Sequence, residues 1–244
     1  MRALILGDIH SNLEAFQAVL EDARAAGGWD EVWCLGDIVG YGPDPGPCLA
    51  LLRGQPHRAV AGNHDWAAVG KLSLDDFNPY AAAAARWTAR QLSADDRAYL
   101  AALPQVLEHD RFTLVHGSLR HPIWEYLLSA QEALPTFARL RTQVCLVGHS
   151  HIPFLCREVG PQACAFTTLP EGVEVRLGTE RWIVNPGGVG QPRDGDPRAA
   201  YLLYDGERET LRFRRVPYDI PTTQAKMRRA ALPAPLIERL QDGR

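Results

Sequence analysis

Residues 3–12 read ALILGDIHSN, an apolar run that passes through a glycine into an aspartate and a histidine. The run from Ala3 to Leu6 has the length and composition of a buried strand. Ser11 and Glu14 have the spacing of a capping box, which predicts that a helix begins directly after the strand. A strand that leads at once into a helix is typical of α/β folds.

Four more apolar runs end in the same way, with a potential metal ligand beside a glycine. Their ends are Gly36-Asp37, Gly62-Asn63-His64-Asp65, His116-Gly117 and Gly148-His149-Ser150-His151. Ligands bind at the carboxyl ends of strands in open α/β sheets, so five such ends would meet in space. A single Asp is often a turn residue, and a lone His is often structural. The repetition favours one functional site over five separate turns.

The other histidines lack this context, so His57 and His109 are predicted to be structural or solvent-facing, while His121 stays undecided. Helices are predicted around residues 48–52, 74–103 and 129–140, and strands at 57–61, 112–115 and 144–147. Within the region 74–103, Ser93 with Asp96 is a second possible N-cap. After His151, six short β-like runs without a long helix predict largely antiparallel pairing. We expect a main domain at residues 1–216, with a tail of two short helices at 217–244 packed on it.

The composition indicates an ordinary soluble protein, with 244 residues, 46% hydrophobic and 23% charged. A formal net charge of −3 gives no electrostatic footprint for nucleic acid. The five cysteines form no CxxC pair, which predicts a reduced, cytoplasmic chain and buried core positions for Cys34 and Cys145. No signal peptide and no apolar run of ~20 residues is visible, so no membrane association is expected.

The residue types at the five strand ends indicate what they could bind. Carboxylate, imidazole and amide ligands without cysteine suit Mn²⁺, Fe, Zn²⁺ or Ni²⁺ better than Ca²⁺. The ligands are too many for one ion, which suggests two ions roughly 3.5–4 Å apart and bridged by a carboxylate. Two such ions can clamp phosphate oxygens and lower the pKa of a bridging water, so the pattern predicts hydrolysis of a phosphate ester.

In this order, the motifs resemble those of the calcineurin-like metallophosphoesterase superfamily. The pattern D-x-H, GD, GNH-[D/E], H and GH-x-H is matched in full between Asp8 and His151. The resemblance implies an α/β fold, a four-layer α/β/β/α sandwich of two mixed sheets flanked by helices. It makes residues 1–216 the catalytic domain and implies two divalent ions, Mn²⁺ before Fe, Zn²⁺ or Ni²⁺, at one edge between the sheets.

The resemblance also divides the strand-end residues into metal-binding sets. These are Asp8, His10 and His151 for the first ion, Asn63, His116 and His149 for the second, and Asp37 as the bridge. A hydroxide between the metals would attack phosphorus in line. His64 would stabilise the transition state or protonate the leaving oxygen. Asp65 matches the acidic end of its motif without an assigned role.

The chain departs from the GD-x-V-D-R-G run of protein Ser/Thr phosphatases and bacterial diadenosine tetraphosphatases. Gly40 stands where an Asp would orient the catalytic His, and Tyr41 stands where an Arg would grip phosphate. Both differences argue against those two activities, favour diesters over monoesters, and leave open what supports His64. The runs at 8–12, 116–118 and 124–126 are instead similar to a small prokaryotic phosphodiesterase-like branch.

The loop 185–193, NPGGVGQPR, is similar to a loop of the same branch. Its glycines would let backbone N–H groups approach an anion, and Arg193 could bind phosphate in a bidentate manner. The alternative is a tight turn in which Arg193 pairs with Asp194 or Asp196. Asn12 is expected either to cap the first helix or to contact substrate.

The leading interpretation is therefore a phosphodiesterase or phosphomonoesterase acting on a small phosphorylated substrate. A nucleotide-specific phosphohydrolase, for cyclic nucleotides or dinucleotides, would use Trp124 and Tyr126 to stack a base, and with Arg120 they could line the cleft. A non-catalytic scaffold, such as a retromer subunit of this fold, would be favoured by loss of metal ligands or of the catalytic His. His64 and all seven predicted ligands are present here.

Overall fold

The computed structural model describes all residues from 1 to 244. Twelve strands form two six-stranded mixed sheets, in the orders β3-β2-β1-β11-β12-β9 and β4-β5-β6-β10-β7-β8. The strands of the first sheet are β1 (Arg2–Leu6), β2 (Glu31–Cys34), β3 (His57–Ala59), β9 (Glu174–Arg176), β11 (Ala199–Asp205) and β12 (Thr210–Val216). Those of the second are β4 (Val106–His109), β5 (Phe112–Val115), β6 (Val144–Leu146), β7 (Phe154–Gly160), β8 (Ala163–Thr168) and β10 (Trp182–Asn185).

Eight α-helices accompany the sheets, and a short 3₁₀ turn at Arg239–Gln241 follows the last one. They are α1 (Leu13–Ala25), α2 (Pro45–Arg53), α3 (Asn63–Ala68), α4 (Pro79–Gln91), α5 (Ala94–Ala102), α6 (Ala130–Phe137), α7 (Ile220–Arg229) and α8 (Ala234–Glu238). No helix is both long and apolar enough to cross a membrane.

The layers follow from the alternation of side chains along buried strands. In β1, Leu4 and Leu6 face the helices and pack with Phe16 of α1, whereas Ile5 points to the other sheet and packs in a cluster with Phe112. A third apolar cluster lies between the second sheet and α6. Both faces of the central strands are therefore buried, and the predicted α/β/β/α sandwich is confirmed.

The site is positioned by two sets of parallel strands, one on one side of the first sheet and one at the centre of the second. Strands β1, β2 and β3 pair in parallel in the first sheet, and β5, β6 and β10 do so in the second. All other pairs are antiparallel. The prediction of largely antiparallel pairing after His151 is confirmed, except that β10 runs parallel to β6.

Several local predictions need correction. The cap of α1 is Asn12, whose Oδ1 accepts from the Ala15 amide at 3.2 Å, and not Ser11, which has a φ of 54°. The helical region predicted at 74–103 contains two helices, α4 and α5, because Leu92 and Ser93 are extended, and the predicted cap at Ser93 with Asp96 is confirmed. Strand β4 was not predicted, since its residues are half-exposed at an edge and carry little apolar pattern.

The chain end folds against the α1 side of the molecule as two short helices, as expected, plus the 3₁₀ turn. Lys226 binds Asp44 at 2.9 Å and also contacts Glu14, and Thr223 donates to Asn12 at 3.1 Å. Apolar residues of α7 and α8 pack with Tyr41 in a fourth cluster. The division at residue 216 stays a prediction. All five cysteines are free, and Cys34 and Cys145 are buried as predicted.

Candidate metal centre

The seven predicted metal ligands lie at or just beyond the carboxyl ends of strands in both sheets. Asp8 and His10 follow β1, Asp37 follows β2, and Asn63 begins α3 after β3. His116 follows β5, and His149 with His151 follows β6. The structure brings all seven together, and each is at most 4% exposed. That these seven residues bind metal ions remains a prediction.

The ligand atoms form two groups that share one carboxylate. In the first group, His151 Nε2 lies 3.2 Å from His10 Nε2 and 3.3 Å from Asp8 Oδ1. In the second, His116 Nε2 lies 3.1 Å from Asn63 Oδ1 and 3.0 Å from His149 Nδ1. Oδ2 of Asp37 lies 3.6 Å from His10 Nε2 and 3.4 Å from His116 Nε2. Asp37 therefore lies between the two groups.

These spacings fit metal coordination. Ligand atoms about 2.1 Å from one ion are roughly 3–3.5 Å from each other. Three sets of side chains have their donor atoms within 4.8 Å of one another: Asp8 with His10 and His151, His10 with Asp37 and His64, and Asp37 with His116 and His149. Carboxylate and imidazole donors of this kind suit divalent ions. The residues present therefore fit the metal that the fold family uses.

Each of the four predicted histidine ligands is oriented by a backbone carbonyl on the ring nitrogen away from the cluster. The carbonyl oxygens are Val39 for His10 (3.3 Å), Leu35 for His116 (2.9 Å), Trp124 for His149 (3.2 Å) and Gln191 for His151 (2.5 Å). Such a bond fixes the tautomer and leaves the other nitrogen's lone pair free for a metal. Three rings thus present Nε2, and His149 presents Nδ1.

The backbone at the strand ends is held in an unusual conformation. Asp8, His10, Asp37, His149 and His151 all have φ between 49° and 65°, which non-glycine residues seldom adopt. Such residues persist only where the surroundings fix them, and they cluster at functional sites. Gly62 shows how close the loops approach, because a Cβ there would lie 2.0 Å from Asp37 Oδ1.

Burial and mutual charge set the protonation of the cluster. Burial alone would raise the pKa of Asp37, but His116 and His64 outweigh it and hold the pKa well below its usual range. Burial lowers the pKa of His10 well below its usual value, which keeps its ring neutral. Burial raises the pKa of Asp8 to about 7. Buried carboxylates without a Lys or Arg ion pair are favourable hosts for cations.

His64 differs from the four predicted histidine ligands, because its Nδ1 is buried and has no hydrogen-bond partner. Its backbone N–H donates to Asp37 Oδ1 at 2.8 Å, and burial lowers the pKa of its ring to about 4. A Cβ at Gly40 would lie 2.6 Å from Nδ1, so the ring occupies the space beside Gly40. No side chain forms a hydrogen bond with His64 Nδ1, as the replacement of the orienting Asp by Gly40 suggested, although the Tyr41 ring packs on His64 with centroids 4.2 Å apart.

The Asp65 side chain links two of the loops around the cluster by hydrogen bonds. Its Oδ1 accepts from the Val39 amide and its Oδ2 from the Gly62 amide, both at 3.0 Å. These two bonds tie the start of α3 to the loop that carries Asp37. Asn12 is likewise used within the protein, since its Nδ2 donates to the Gly190 carbonyl at 2.9 Å. A substrate contact by Asn12 stays a prediction.

A cavity opens beside the cluster, and Asp37, Asn63, His64, His149 and His151 form part of its lining. Arg193 lines it too, with Nη2 3.1 Å from Gln191 Oε1 and 3.5 Å from the Tyr41 hydroxyl. Arg193 is not paired with Asp194 or Asp196, so that alternative is wrong; the carboxylates bind Arg215 and Arg198 instead.

Aromatic side chains form much of the remaining lining. Trp124 and Tyr126 face the cavity, as their sequence positions suggested, and the Tyr126 ring stacks on His149 with centroids 4.0 Å apart. Tyr41 and Phe77 also line it. The sequence did not indicate Phe77, because its loop carries no motif. Arg120 pairs with Glu125 at the surface.

The three histidines outside the motifs lie away from the cluster. His57 binds the Gln55 carbonyl and the Tyr99 hydroxyl, and the His109 ring packs edge-on against Trp33. Both are structural, as predicted. His121 is exposed, and its backbone N–H donates to Ser118 Oγ.

Residues 1–209 match the family model of the calcineurin-like phosphoesterase superfamily domain. An uncharacterized protein of Methanocaldococcus jannaschii is 39% identical over 246 residues, covering 98% of this chain and 97% of that protein. The crystal structure of a metallophosphoesterase from Sphaerobacter thermophilus has a TM-score of 0.91 and 47% identity, covering 100% of this chain and 99% of that chain. A symmetrical bis(5'-nucleosyl)-tetraphosphatase of Vibrio campbellii is 28% identical over 135 residues, covering 51% of this chain and 47% of that enzyme.

Proposed function

The chain belongs to the calcineurin-like phosphoesterase superfamily, and on that premise we propose that it is a dinuclear metal-dependent phosphoesterase. Its substrate would be a small phosphodiester or phosphomonoester, hydrolysed in the cytoplasm. The observation that carries the proposal is Asp37 Oδ2, which lies 3.6 Å and 3.4 Å from imidazole nitrogens of the two ligand groups. A carboxylate shared in this way is what a two-metal site requires.

In this proposal Asp8, His10 and His151 hold one ion, Asn63, His116 and His149 hold the other, and Asp37 bridges them. Divalent ions, of which Mn²⁺ is our first choice, would supply Lewis acidity toward phosphate oxygens and would lower the pKa of a bound water. The carbonyl-anchored rings would keep the donor atoms in place while the substrate binds. Arg193, whose guanidinium lines the cavity, would bind a phosphate oxygen.

His64 would contact the leaving oxygen or the charge that develops on the phosphate. It lines the cavity and keeps a polar atom, Nδ1, that no protein group uses. Its lowered pKa leaves the free ring neutral at pH 7. As a neutral imidazole it would act by donating a hydrogen bond, and it would gain a proton only when an anionic substrate stands beside it.

A nucleotide phosphohydrolase is the second candidate, because Trp124 and Tyr126 line the cavity and Tyr126 is 44% exposed. Aromatic faces of this kind can stack a base. The likeness to a bis(5'-nucleosyl)-tetraphosphatase supports the same candidate over half of the chain. Gly40 and Tyr41 argue against that particular activity, since they replace the Asp and Arg of its motif.

The test is hydrolysis by the purified full-length chain with added Mn²⁺. We expect metal-dependent turnover of bis(p-nitrophenyl) phosphate that exceeds turnover of p-nitrophenyl phosphate, and loss of both with a chelator. A panel of cyclic nucleotides and dinucleotides distinguishes the two candidates. Absence of metal-dependent turnover on every one of these esters would favour the non-catalytic scaffold of the same fold and would refute the hydrolase.

A further inference from the structure

Arginines that are partly shielded from solvent almost all form ion pairs with a side-chain carboxylate in this protein. Those that do are Arg58, Arg111, Arg181, Arg198, Arg214 and Arg215. Two shielded arginines, Arg193 and Arg239, have no side-chain carboxylate within 4.0 Å. Every other unpaired arginine is exposed to solvent, where water satisfies it. The exceptions therefore need an explanation.

The two exceptions lie against the same aromatic ring. The guanidinium carbon of Arg193 is 5.8 Å from the centroid of Tyr41, and that of Arg239 is 6.0 Å from it. Arg193 comes from the loop after β10, whereas Arg239 comes from the 3₁₀ turn near the chain end. Two segments far apart in the sequence thus place one guanidinium each beside Tyr41, at the metal-site cavity that Tyr41 and Arg193 line.

Much of the donor capacity of both guanidiniums is unused. Arg193 Nε is buried and has no partner, and its Nη2 contacts only Gln191 and Tyr41. Arg239 Nε donates to the main-chain oxygen of Arg244, while neither of its Nη atoms donates to a protein group. An arginine has five N–H donors in a planar fork that matches phosphate oxygens. These donors are available to a ligand.

Two like charges that lie close together and are shielded from solvent raise the free energy of the protein when no ligand is bound. Burial lowers the pKa of Arg239, and the charge of Arg193 lowers it further. Asp37 and Asp76 line the cavity, but neither lies within ion-pair distance of Arg193. Cations that repel each other in a shielded place are stabilised when an anion binds between them.

We infer that Arg193 and Arg239 form a two-cation subsite that binds a second phosphate group of the substrate, one that is not hydrolysed. The substrate class is then an ester that carries at least two phosphate groups in sequence. This inference deepens the proposed function and rests on it for the identity of the reacting site. It also makes the chain end, through Arg239, part of the substrate-binding surface.

The position of Arg239 explains why the subsite would serve a second phosphate and not only the reacting one. Arg193 lines the cavity together with Asp37, Asn63 and His64, whereas Arg239 is absent from that lining. Arg239 approaches the cavity beside Tyr41, where its guanidinium carbon lies 6.0 Å from the ring centroid. A substrate whose reacting phosphate lies at the metal-binding residues would therefore reach Arg239 through a second group that extends past the Tyr41 ring.

The test is calorimetric titration of the full-length protein, as purified, with methylenebisphosphonate and with methylphosphonate. The variants are Arg239→Gln, Arg239→Lys and the control Arg228→Gln, an exposed arginine of α7 without an ion pair. We expect Arg239→Gln to weaken bisphosphonate binding about tenfold or more, as loss of a charged hydrogen bond predicts. Methylphosphonate binding should change by less than about threefold, and Arg239→Lys should restore part of the loss because it keeps the charge.

Chelation of metal by the bisphosphonate would be equal in Arg228→Gln, so the control removes it from the comparison. Thermal melting of each variant shows whether the chain end stays folded, and Arg239→Lys carries the test if Arg239→Gln does not fold. Equal loss for both phosphonates, or equal bisphosphonate affinity in Arg239→Gln and Arg228→Gln, would overturn the subsite. Because titration needs no turnover, a negative hydrolysis assay would leave this result decisive by itself.

Discussion

Two groups of carboxylates, one on the helix side of the first sheet and one at the ends of its strands, differ in the source of their counter-charge. On the α1 side of the first sheet, Asp22 receives two hydrogen bonds from Arg214, at 2.8 and 2.9 Å, and a further one from the Tyr201 hydroxyl. At the carboxyl ends of the strands, Asp8 and Asp37 are fully buried and have no arginine or lysine partner. The first carboxylate has its cation within the chain, and the other two do not.

The difference indicates what each cluster is for. Where a salt bridge holds α1 to the sheet, the chain itself supplies the cation that balances the charge of Asp22. This ion pair makes a modest contribution to stability. Where the imidazoles and carboxylates of the metal centre converge, the chain supplies no Lys or Arg, and burying the carboxylates costs desolvation free energy. A cation from solution can balance their charge. Changes in the two clusters should therefore have separable effects, on metal and turnover in one and on stability in the other.

The largest effect is expected for Asp37→Asn. The amide cannot supply the charge that both ligand groups share, so bound metal should fall, and kcat/KM should drop on the order of a thousandfold. Elemental analysis of the purified variant together with the Mn²⁺ assay checks this. Asp22→Asn is the matched control and should keep wild-type metal content. Wild-type metal in Asp37→Asn would refute the bridging role.

His64→Gln should lower kcat on the order of a hundredfold, as loss of a group that acts in proton transfer predicts. Metal content should remain at the wild-type value, because His64 is not in either predicted ligand set. This result matters since the ring nitrogens of His64 and His10 and an oxygen of Asp37 lie close enough to hold an ion. Parallel loss of metal and activity would make His64 a ligand and remove its catalytic assignment.

The strand ends were predictable because each carries a local signal, an apolar run followed by a glycine and a ligand. The apolar runs also predicted the strands themselves, whereas the sandwich was implied by the resemblance that the motifs carry. The sequence offered both Ser11 and Asn12 as the cap of α1, and the Asn12 alternative is confirmed; only the positive φ of Ser11 separates the two. Sequence alone cannot supply that angle.

Trp124, Tyr126 and Arg193 were expected near the substrate, but the part of the cavity wall formed by Tyr41 and Phe77 could not be predicted, since long-range packing places it. Phe77 and Tyr41 pack with Met227 and Leu240 of the chain end, and no motif links segments so far apart. The Arg193 alternative failed for a related reason. Asp194 and Asp196 are its sequence neighbours, but Arg215 of β12 pairs with both, and Arg198 also pairs with Asp196. Sequence proximity alone therefore did not distinguish Arg193 from Arg198 as the partner of Asp196.

Gly40→Ala tests whether the position of the His64 ring in the metal centre affects turnover. A Cβ would lie 2.6 Å from His64 Nδ1 at a φ of 94°, so the ring must shift, and we expect kcat to fall about tenfold. Gly70→Ala is the matched control, because its φ is 78° and nothing lies within 4 Å of the added Cβ. Both variants should lose stability from backbone strain, but only Gly40→Ala should lose turnover at unchanged metal content. Equal turnover in the two would mean that His64 position does not matter.

The smallest effect is expected at Asp22, where pH can separate the clusters. The hydrogen bonds from Arg214 and Tyr201 lower the pKa of Asp22 below its usual value, while burial opposes the shift. A carboxylate with a lowered folded pKa stabilises the protein above its unfolded pKa of about 3.9. That contribution is lost as the pH falls through the folded pKa.

Asp22→Asn should therefore lower the free energy of unfolding by about 1 kcal/mol at pH 6, because the pair is partly screened by solvent. The difference from wild type should shrink at pH 3, as measured by urea unfolding at both pH values. Protonation of the metal-centre residues affects both proteins equally and cancels in the difference, since the two clusters share no partner. A difference of the same size at both pH values would mean that Asp22 contributes by shape and not by charge. The Asp22 cluster would then not differ from the metal centre in having its charge balanced by a cation of the chain.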